Sequence, residues 1–175
     1  MVKKILYLYS NLFRYPEENY KEYAFELLKL LKDDVFFKKF FEIVKDLDIF
    51  SLREIYTRTF DLAPSSPPYI GYHLFEDSYK KGEFLVKLKK IYEKNKFSFD
   101  ERELPDHISI LIDFINFKGF EKEDVKVILE EGLLPSLVKM KSLLSRENPY
   151  LFLMESLEVF LNRFKSPIIS LIQNE

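Results

Sequence analysis

Apolar residues recur at intervals of three and four along most of this chain, and that spacing constrains its fold more than any other feature. Residues three and four apart lie on one face of an α-helix, so each such stretch predicts a helix with one buried stripe. No stretch alternates apolar and polar residues over a length typical of a β-strand. The 175 residues include only four glycines, which leaves few positions for the tight turns of a hairpin-rich sheet. We therefore expect an all-α fold.

Local signals separate the predicted helices. The Pro16-Glu17-Glu18 start signal precedes the first stripe, and Asp33-Asp34 precedes the second. Three prolines between 63 and 68 rule out a regular helix, so a loop or hinge is expected near 63–69. The chain length fits one helical-bundle domain covering 1–175. The predicted helical segments are 20–31, 35–47, 51–60, about 77–94, about 105–117, 121–131, 135–144 and 149–164.

The charge pattern and the missing cysteines exclude several classes of protein. The 27 basic and 29 acidic side chains are interspersed, so the chain lacks the clustered basic face of a nucleic-acid binder. Without cysteine, disulfides, thiolate catalysis and cysteine-based metal sites are excluded. The first apolar run is too short and too rich in tyrosine for a secretory signal, and no segment approaches transmembrane length. We expect a cytoplasmic protein with no transmembrane segment.

An enzyme would need groups that this sequence mostly lacks. The glycines are isolated, so neither a phosphate-binding loop nor a dinucleotide fingerprint can be assembled. A metal site built from His73, His107 and Asp106 would lack a full ligand set and its supporting shell. A hydrolase using Asp106 and His107 would lack a nucleophile. We expect no enzymatic activity, no catalytic residues and no bound metal.

The segment 103–107, Glu-Leu-Pro-Asp-His, opens a strongly apolar run and admits three interpretations. It could cap a helix, form an acid–base site or form a polar recognition patch. Pro105 and Asp106 are common at helix starts, where Asp can accept hydrogen bonds from unpaired amides. Capping does not require His107, and a buried histidine satisfied by hydrogen bonds is the usual explanation for a lone one. Near a helix N-terminus we expect His107 to be neutral at pH 7.

Large aromatic side chains flank the proline-rich loop on both sides, in segments 56–62 and 69–75. Beside a stiff loop they could form a groove for a peptide. Aromatic residues at helical spacing are more often core residues, and composition alone favours that second interpretation.

The order of these motifs resembles that of one known family. The series covers roughly residues 1–165 and is similar to the NarJ/TorD/DmsD family of molybdoenzyme assembly chaperones, the redox enzyme maturation proteins. Its Thr-Phe-Asp and Glu-Leu-Pro-Asp segments look most like the nitrate reductase delta-subunit, or NarJ-like, branch. The chain lacks the Trp that some members carry in the aromatic segment. The motifs are Tyr-Thr-Arg-Thr-Phe-Asp-Leu at 56–62, Pro-Pro-Tyr-Ile-Gly-Tyr-His-Leu-Phe at 67–75, Lys-Gly-Glu-Phe-Leu-Val-Lys-Leu at 81–88, Tyr92, and Glu-Leu-Pro-Asp-His at 103–107.

The resemblance implies a TorD-like helical bundle that acts as a cytoplasmic chaperone. It would bind the N-terminal, twin-arginine-type leader of the catalytic subunit of a molybdenum-containing oxidoreductase, and support cofactor insertion and assembly before export. The molybdopterin guanine dinucleotide would belong to this client, and the chaperone itself would hold no cofactor. The peptide-binding residues that the resemblance implies are Tyr56, Phe60, Asp61, Pro67, Tyr69, Tyr72, His73, Phe75, Glu103, Pro105, Asp106 and His107.

On this interpretation Asp61, Glu103 and Asp106 would attract the basic part of the leader, and the aromatic side chains between 69 and 75 would accept its apolar part. Two alternatives stay open. One is a non-catalytic helical adaptor or oligomerising subunit whose aromatic surface is an interface, and the other is a small hydrolase or nucleotide-binding protein. The chain could be a monomer or a dimer, and the loop near 63–69 could act as the hinge of a swapped dimer.

Overall fold

The computed structural model describes residues 1–62, 66–75 and 78–165, and in these residues the chain is all-α, as the apolar spacing predicts. No β-strand occurs in the described residues, although one isolated antiparallel bridge pairs Tyr69 with His107. None of the described helices is both long enough and apolar enough to cross a membrane. The helices are α1 (Val2–Leu12), α2 (Tyr20–Leu30), α3 (Val35–Val44), α4 (Ile49–Tyr56), α5 (Ile70–Phe75), α6 (Tyr79–Lys94), α7 (Ile108–Lys118), α8 (Glu123–Val127), α9 (Leu134–Ser142) and α10 (Pro149–Asn162), with π-helical turns at Thr57–Asp61 and Ile128–Leu133.

Helix α1 packs against both α2 and α7, and α10 packs against α3. The buried residues of α1 recur at helical spacing, although no helix was predicted there; they include Ile5, Leu8, Tyr9 and Leu12. The Ser10 hydroxyl donates a hydrogen bond to the Ser109 carbonyl in α7 (3.2 Å). This contact brings the C-terminal end of α1 beside the first turn of α7.

The helix expected from about residue 105 begins at Ile108 instead. His107 has an extended backbone (φ −61°, ψ 133°) and forms the bridge with Tyr69, the residue before α5. Segment 70–75, for which no helix was predicted, forms α5. Of the predicted proline-rich loop, 63–65 lie outside the described residues, as does the expected start of α6 near 77.

The stretch from 121 to 144 also differs from the expectation of two separate helices. Helix α8, the π-helical turn Ile128–Leu133 and α9 follow one another without a break. Pro135 lies in the first turn of α9 and lacks the amide that would continue the regular hydrogen-bond pattern. A π-helical turn accommodates such an interruption without ending the helical run.

Candidate functional site

The two motifs singled out in the sequence meet at the bridge between Tyr69 and His107. The Ile70 amide donates to the Asp106 carbonyl (3.0 Å), and the Ile108 amide donates to the Pro68 carbonyl (2.9 Å). The rings of Tyr69 and His107 pack edge to face, with centroids 5.5 Å apart. The start of α5 and the start of α7 are therefore held together by backbone hydrogen bonds.

Asp106 lies inside this junction and is fully buried. Its Oδ2 accepts a hydrogen bond from the Gly71 amide (2.9 Å), whereas its Oδ1 has no hydrogen-bond partner in the part of the chain that the structure describes. Burial raises the pKa of the Asp106 carboxyl above its ordinary value, and the Gly71 hydrogen bond acts in the opposite direction. Asp106 thus binds α5, and of the interpretations open for this residue the capping of α7 is not the one the structure has.

His107 supplies the cap of α7 instead. Its Nδ1 accepts a hydrogen bond from the Ser109 amide (3.2 Å) and lies 2.8 Å from the Ser109 hydroxyl. Because Nδ1 is an acceptor, the proton of the neutral ring is on Nε2. Burial lowers the pKa of His107 to about 4, so the ring is neutral at pH 7, as the sequence analysis expects.

A cleft of about 730 Å³ opens next to this junction. Four of the implied peptide-binding residues line it, namely Tyr56, Asp61, Glu103 and His107. Asp61 ends the π-helical turn that follows α4, and Glu103 lies in the loop before α7. The other lining residues, which the sequence analysis did not identify, are Arg14, Tyr15, Phe97, Ser98, Phe99, Asp100, Ser109, Ile110 and Asp113.

The electrostatic character of the cleft is acidic. Asp61 and Glu103 have no ion-pair partner among the residues described, whereas Asp100 pairs with Arg102 and Asp113 pairs with Arg14. Burial raises the pKa of Asp61, and the charge of Glu103 raises it further. Two carboxylates therefore lie near each other without a cation between them, an arrangement that favours a positively charged ligand.

Tyrosines next to these carboxylates respond to the same negative charge. The Tyr69 hydroxyl donates a hydrogen bond to Glu103 Oε1 (2.8 Å). Burial raises the pKa of Tyr56, and the charges of Asp61 and Glu103 add to the effect. Both phenols are therefore neutral at pH 7, and each donates its one proton within the protein, Tyr69 to Glu103 and Tyr56 to the Phe13 carbonyl (3.4 Å).

Several implied site residues are buried structural groups. Phe60 packs on Tyr150 with ring centroids 4.7 Å apart. The carbonyl of buried Pro105 accepts a hydrogen bond from the Tyr92 hydroxyl (2.9 Å). His73 is buried, and its Nε2 lies 2.7 Å from the carbonyl of Pro67, which is itself half-buried.

The aromatic side chains between 69 and 75 do not line one cavity. Tyr69 binds Glu103 at the acidic cleft. Phe75 packs on Phe84 (centroids 5.3 Å apart) and lines a separate apolar cavity of about 320 Å³ between α5, α6 and the second π-helical turn. Tyr72 is exposed, with the Lys81 ammonium 5.8 Å from its ring centroid. The expected groove of Tyr69, Tyr72 and Phe75 is therefore divided.

The described residues contain no group of three His, Asp or Glu side chains placed to hold a metal ion. His73 and His107 lie on different elements, and each has its own hydrogen-bond partner in the protein. Asp106 is hydrogen-bonded to Gly71. The structure thus does not assemble these three residues as a set of metal ligands.

Two signals in the sequence could have identified further residues of the cleft. Asp113 is the one charged residue between Ile108 and Phe117, and it lies four residues after Ser109, on the same helix face. Phe97 and Phe99 alternate with polar residues in a loop, where two large aromatic groups indicate contact with other parts of the fold, and both pack on Tyr92. Arg14 carries no comparable local signal.

Comparisons with known proteins agree with this architecture. A family model described as nitrate reductase delta subunit matches residues 17–145. A Bacillus subtilis (strain 168) protein described as a probable nitrate reductase molybdenum cofactor assembly chaperone, NarJ, is 32% identical over 75 residues. That match covers 43% of this chain but only 41% of the relative. A crystal structure described as that of a redox enzyme maturation protein from Archaeoglobus fulgidus has the same fold, with a TM-score of 0.67 and 22% identity over 91% of this chain and 93% of the other.

Proposed function

The chain belongs to the nitrate reductase delta-subunit family, and from this membership we propose that it is a non-catalytic, cytoplasmic assembly chaperone for the catalytic subunit of a molybdenum-containing oxidoreductase. The chaperone description of the Bacillus subtilis relative supports the proposal. In this role the chain binds the client before export and supports insertion of the client's molybdopterin guanine dinucleotide. The chain itself needs no cofactor for this role.

The ligand in this proposal is the N-terminal leader of the client, which combines arginine with an apolar segment. The observation that carries the proposal is the pair Asp61 and Glu103, two carboxylates without a cation partner among the described residues, in a cleft of about 730 Å³. A guanidinium group matches carboxylates in charge and in hydrogen-bond geometry. The rings of Tyr56 and Phe99 line the same cleft and offer apolar contact beside that charge.

The remaining implied residues act indirectly in this proposal. Asp106 binds the Gly71 amide of α5 and His107 caps α7, while Pro105 and Phe60 are buried. His73 and Pro67 bind each other at the entry to α5.

A later part of the leader could contact Tyr72, which is exposed, and Phe75, which lines the apolar cavity.

Calorimetry with a synthetic peptide tests the proposed ligand. The probe is the N-terminal segment of the molybdoenzyme catalytic subunit encoded in the same genome, titrated into the whole chain. We expect the double substitution Asp61→Asn with Glu103→Gln to weaken binding at least tenfold, since two charge-assisted contacts are lost. The control, Asp33→Asn with Glu22→Gln, removes the same charge from exposed positions outside the cleft and should bind like the wild type. Equal affinities for the two double variants would reject the cleft as the binding site.

Co-expression with the client tests the chaperone role. We expect the chain to be recovered with the catalytic subunit, and the subunit to contain more molybdenum when the chain is present. Recovery of the chain only with copies of itself, and an unchanged molybdenum content of the client, would favour the oligomerising adaptor instead.

A further inference from the structure

Arg14 places a guanidinium group inside the acidic cleft. The residue follows the end of α1, and its Nη2 forms an ion pair with Asp113 Oδ2 on α7. Its Nη1 also donates a hydrogen bond to Asn11 Oδ1 (3.3 Å). Among the described residues that line the cleft, Arg14 is the one arginine or lysine. The cleft thus already binds one guanidinium, which is supplied by the chain itself.

The carboxylates of the cleft fall into two groups. Asp113 is neutralised by Arg14, and Asp100 by Arg102, whereas Asp61 and Glu103 have no cation partner in the described part of the chain. His107 lies close to both charges, because the charge of Glu103 raises the pKa of His107 and the charge of Arg14 lowers it. Arg14 therefore lies close enough to the unpaired carboxylates to affect any cation that binds them.

The pair of Arg14 and Asp113 is accessible from solvent. The Arg14 side chain is 43% exposed and the Asp113 side chain 29% exposed. Ion pairs at such positions are weak, since water and salt screen them and both side chains gain freedom when they separate. An incoming guanidinium could replace Arg14 on Asp113 at little cost, because the new contact has the same chemistry as the old one.

We propose that Arg14 is an internal competitor for the arginine-binding position of the cleft and thereby sets how tightly and how selectively an arginine-bearing peptide binds. This inference rests on the proposed function. In the free chain Arg14 holds Asp113. When a peptide arginine enters, it takes over Asp113 while the rest of the peptide lies along Asp61 and Glu103, and Arg14 moves toward solvent. A peptide without a guanidinium cannot displace Arg14 and binds more weakly.

The variant Arg14→Gln tests this competition by calorimetry with the client leader peptide. We expect this variant to bind the peptide about three- to tenfold more tightly than wild type, the range expected when a weak competing ion pair and its repulsion are removed. The same peptide with citrulline in place of arginine has the shape but not the charge, and should bind wild type and variant equally. Arg163→Gln, which removes one charge at the exposed end of α10, should leave both affinities unchanged. The inference is overturned if Arg14→Gln binds the arginine peptide no more tightly than wild type does. It is also overturned if the variant gains as much affinity for the citrulline peptide as for the arginine peptide.

Asp113→Asn gives a second, independent test if Arg14→Gln folds poorly. It removes the shared carboxylate, so we expect the arginine peptide to bind more weakly than to wild type. Unchanged affinity contradicts the proposal.

The Arg14 Nε–H resonance in NMR spectra, followed during titration with argininamide, tests the competition by Arg14 separately from leader binding. A shift toward the value of a free guanidinium supports displacement even if the leader peptide does not bind, in which case the proposed function alone fails. If the leader binds and the Arg14 resonance does not move, the proposed function stands and the competition is rejected.

Discussion

The buried carboxylate of Asp106 accepts a hydrogen bond from the amide of Gly71, with Oδ2 and N 2.9 Å apart. The two residues lie 35 positions apart in the sequence, one in α5 and one just before α7. Their contact lies beside the bridge between Tyr69 and His107, and Tyr69 in turn binds Glu103 at the cleft wall. The buried junction and the acidic cleft are therefore parts of one arrangement, whose stability and charge can be tested separately.

Substitution of Gly71 by alanine should destabilise the protein. A Cβ at this position would lie 2.8 Å from Oδ2 of buried Asp106 and 3.1 Å from Cδ1 of half-buried Phe84, which packs on Phe75. We expect the free energy of unfolding, measured with urea, to fall by about 1–3 kcal/mol. Gly82→Ala is the matched control, since nothing lies within 4 Å of its added Cβ. In the interior of α6 that control should raise stability by about 0.5–1 kcal/mol. Similar effects at the two glycines would contradict the close approach of Asp106 and Phe84 to Gly71.

Asp106→Ala should cost more stability than Asp106→Asn. Alanine leaves the Gly71 amide buried without an acceptor, which destabilises by about 1–3 kcal/mol. Asparagine keeps an acceptor oxygen for the Gly71 amide. Its NH₂ group takes the place of Oδ1, which has no hydrogen-bond partner among the described residues. Urea unfolding measures the stabilities, and calorimetry with the leader peptide measures binding. Because Asp106 is fully buried, Asp106→Asn should bind the peptide like wild type. A stable Asp106→Asn protein that has lost affinity would show that this carboxylate contacts the ligand directly.

His107 should make the protein less stable as the pH falls. Its pKa is about 4 when folded and about 6.5 when unfolded, so between these values the unfolded chain binds more protons. The contribution of His107 to stability is therefore complete above pH 6.5 and is lost as the pH falls toward 4, by at most about 1.4 kcal/mol per pH unit. Buried His73, with a lowered pKa, acts in the same direction, and Asp106, with a raised pKa, acts in the opposite one.

His107→Asn isolates the contribution of this one imidazole. Asparagine can cap α7 as Asn148 caps α10, but it does not titrate. We expect the stability of the variant, measured by urea unfolding at pH 7 and pH 5, to fall less between the two values than that of wild type. Parallel curves for the two proteins would show that His107 does not titrate in this window.

Glu103→Gln should lower the pKa of Asp61. The charge of Glu103 is the second cause of the raised pKa, and burial is the first, so the pKa should fall but stay above its ordinary value. The carboxyl ¹³C resonance of Asp61, followed through a pH titration, measures the change. Glu101→Gln, two positions away, is the control and should leave the Asp61 resonance unchanged, because Glu101 does not contribute to the shift. No response to Glu103→Gln would mean that the two carboxylates are not close in solution.

The sequence predicted the bodies of most helices but not their ends. The stripe of α7 was clear from Ile108 to Ile115, whereas its cap was left open, with Asp106 as the candidate, and is His107. Asp106 and His107 can both cap a helix. The choice depends on Gly71, which engages the Asp106 carboxylate and leaves the capping position to His107. Local preferences could not decide this competition, because the deciding partner is far away in the sequence.

The acidic cleft was predicted only in part for the same reason. Motif order pointed to Asp61 and Glu103, whereas Arg14, just after α1, and Asp113, in α7, meet only when those helices pack. The sequence by itself determined the all-α class and the family, because helical stripes and motif order are properties of the linear chain. Only the tertiary structure decided that Asp106 is buried while Asp61 and Glu103 face a ligand-sized cleft. Burial, and the charges around a group, are set by segments that folding brings together from distant parts of the chain.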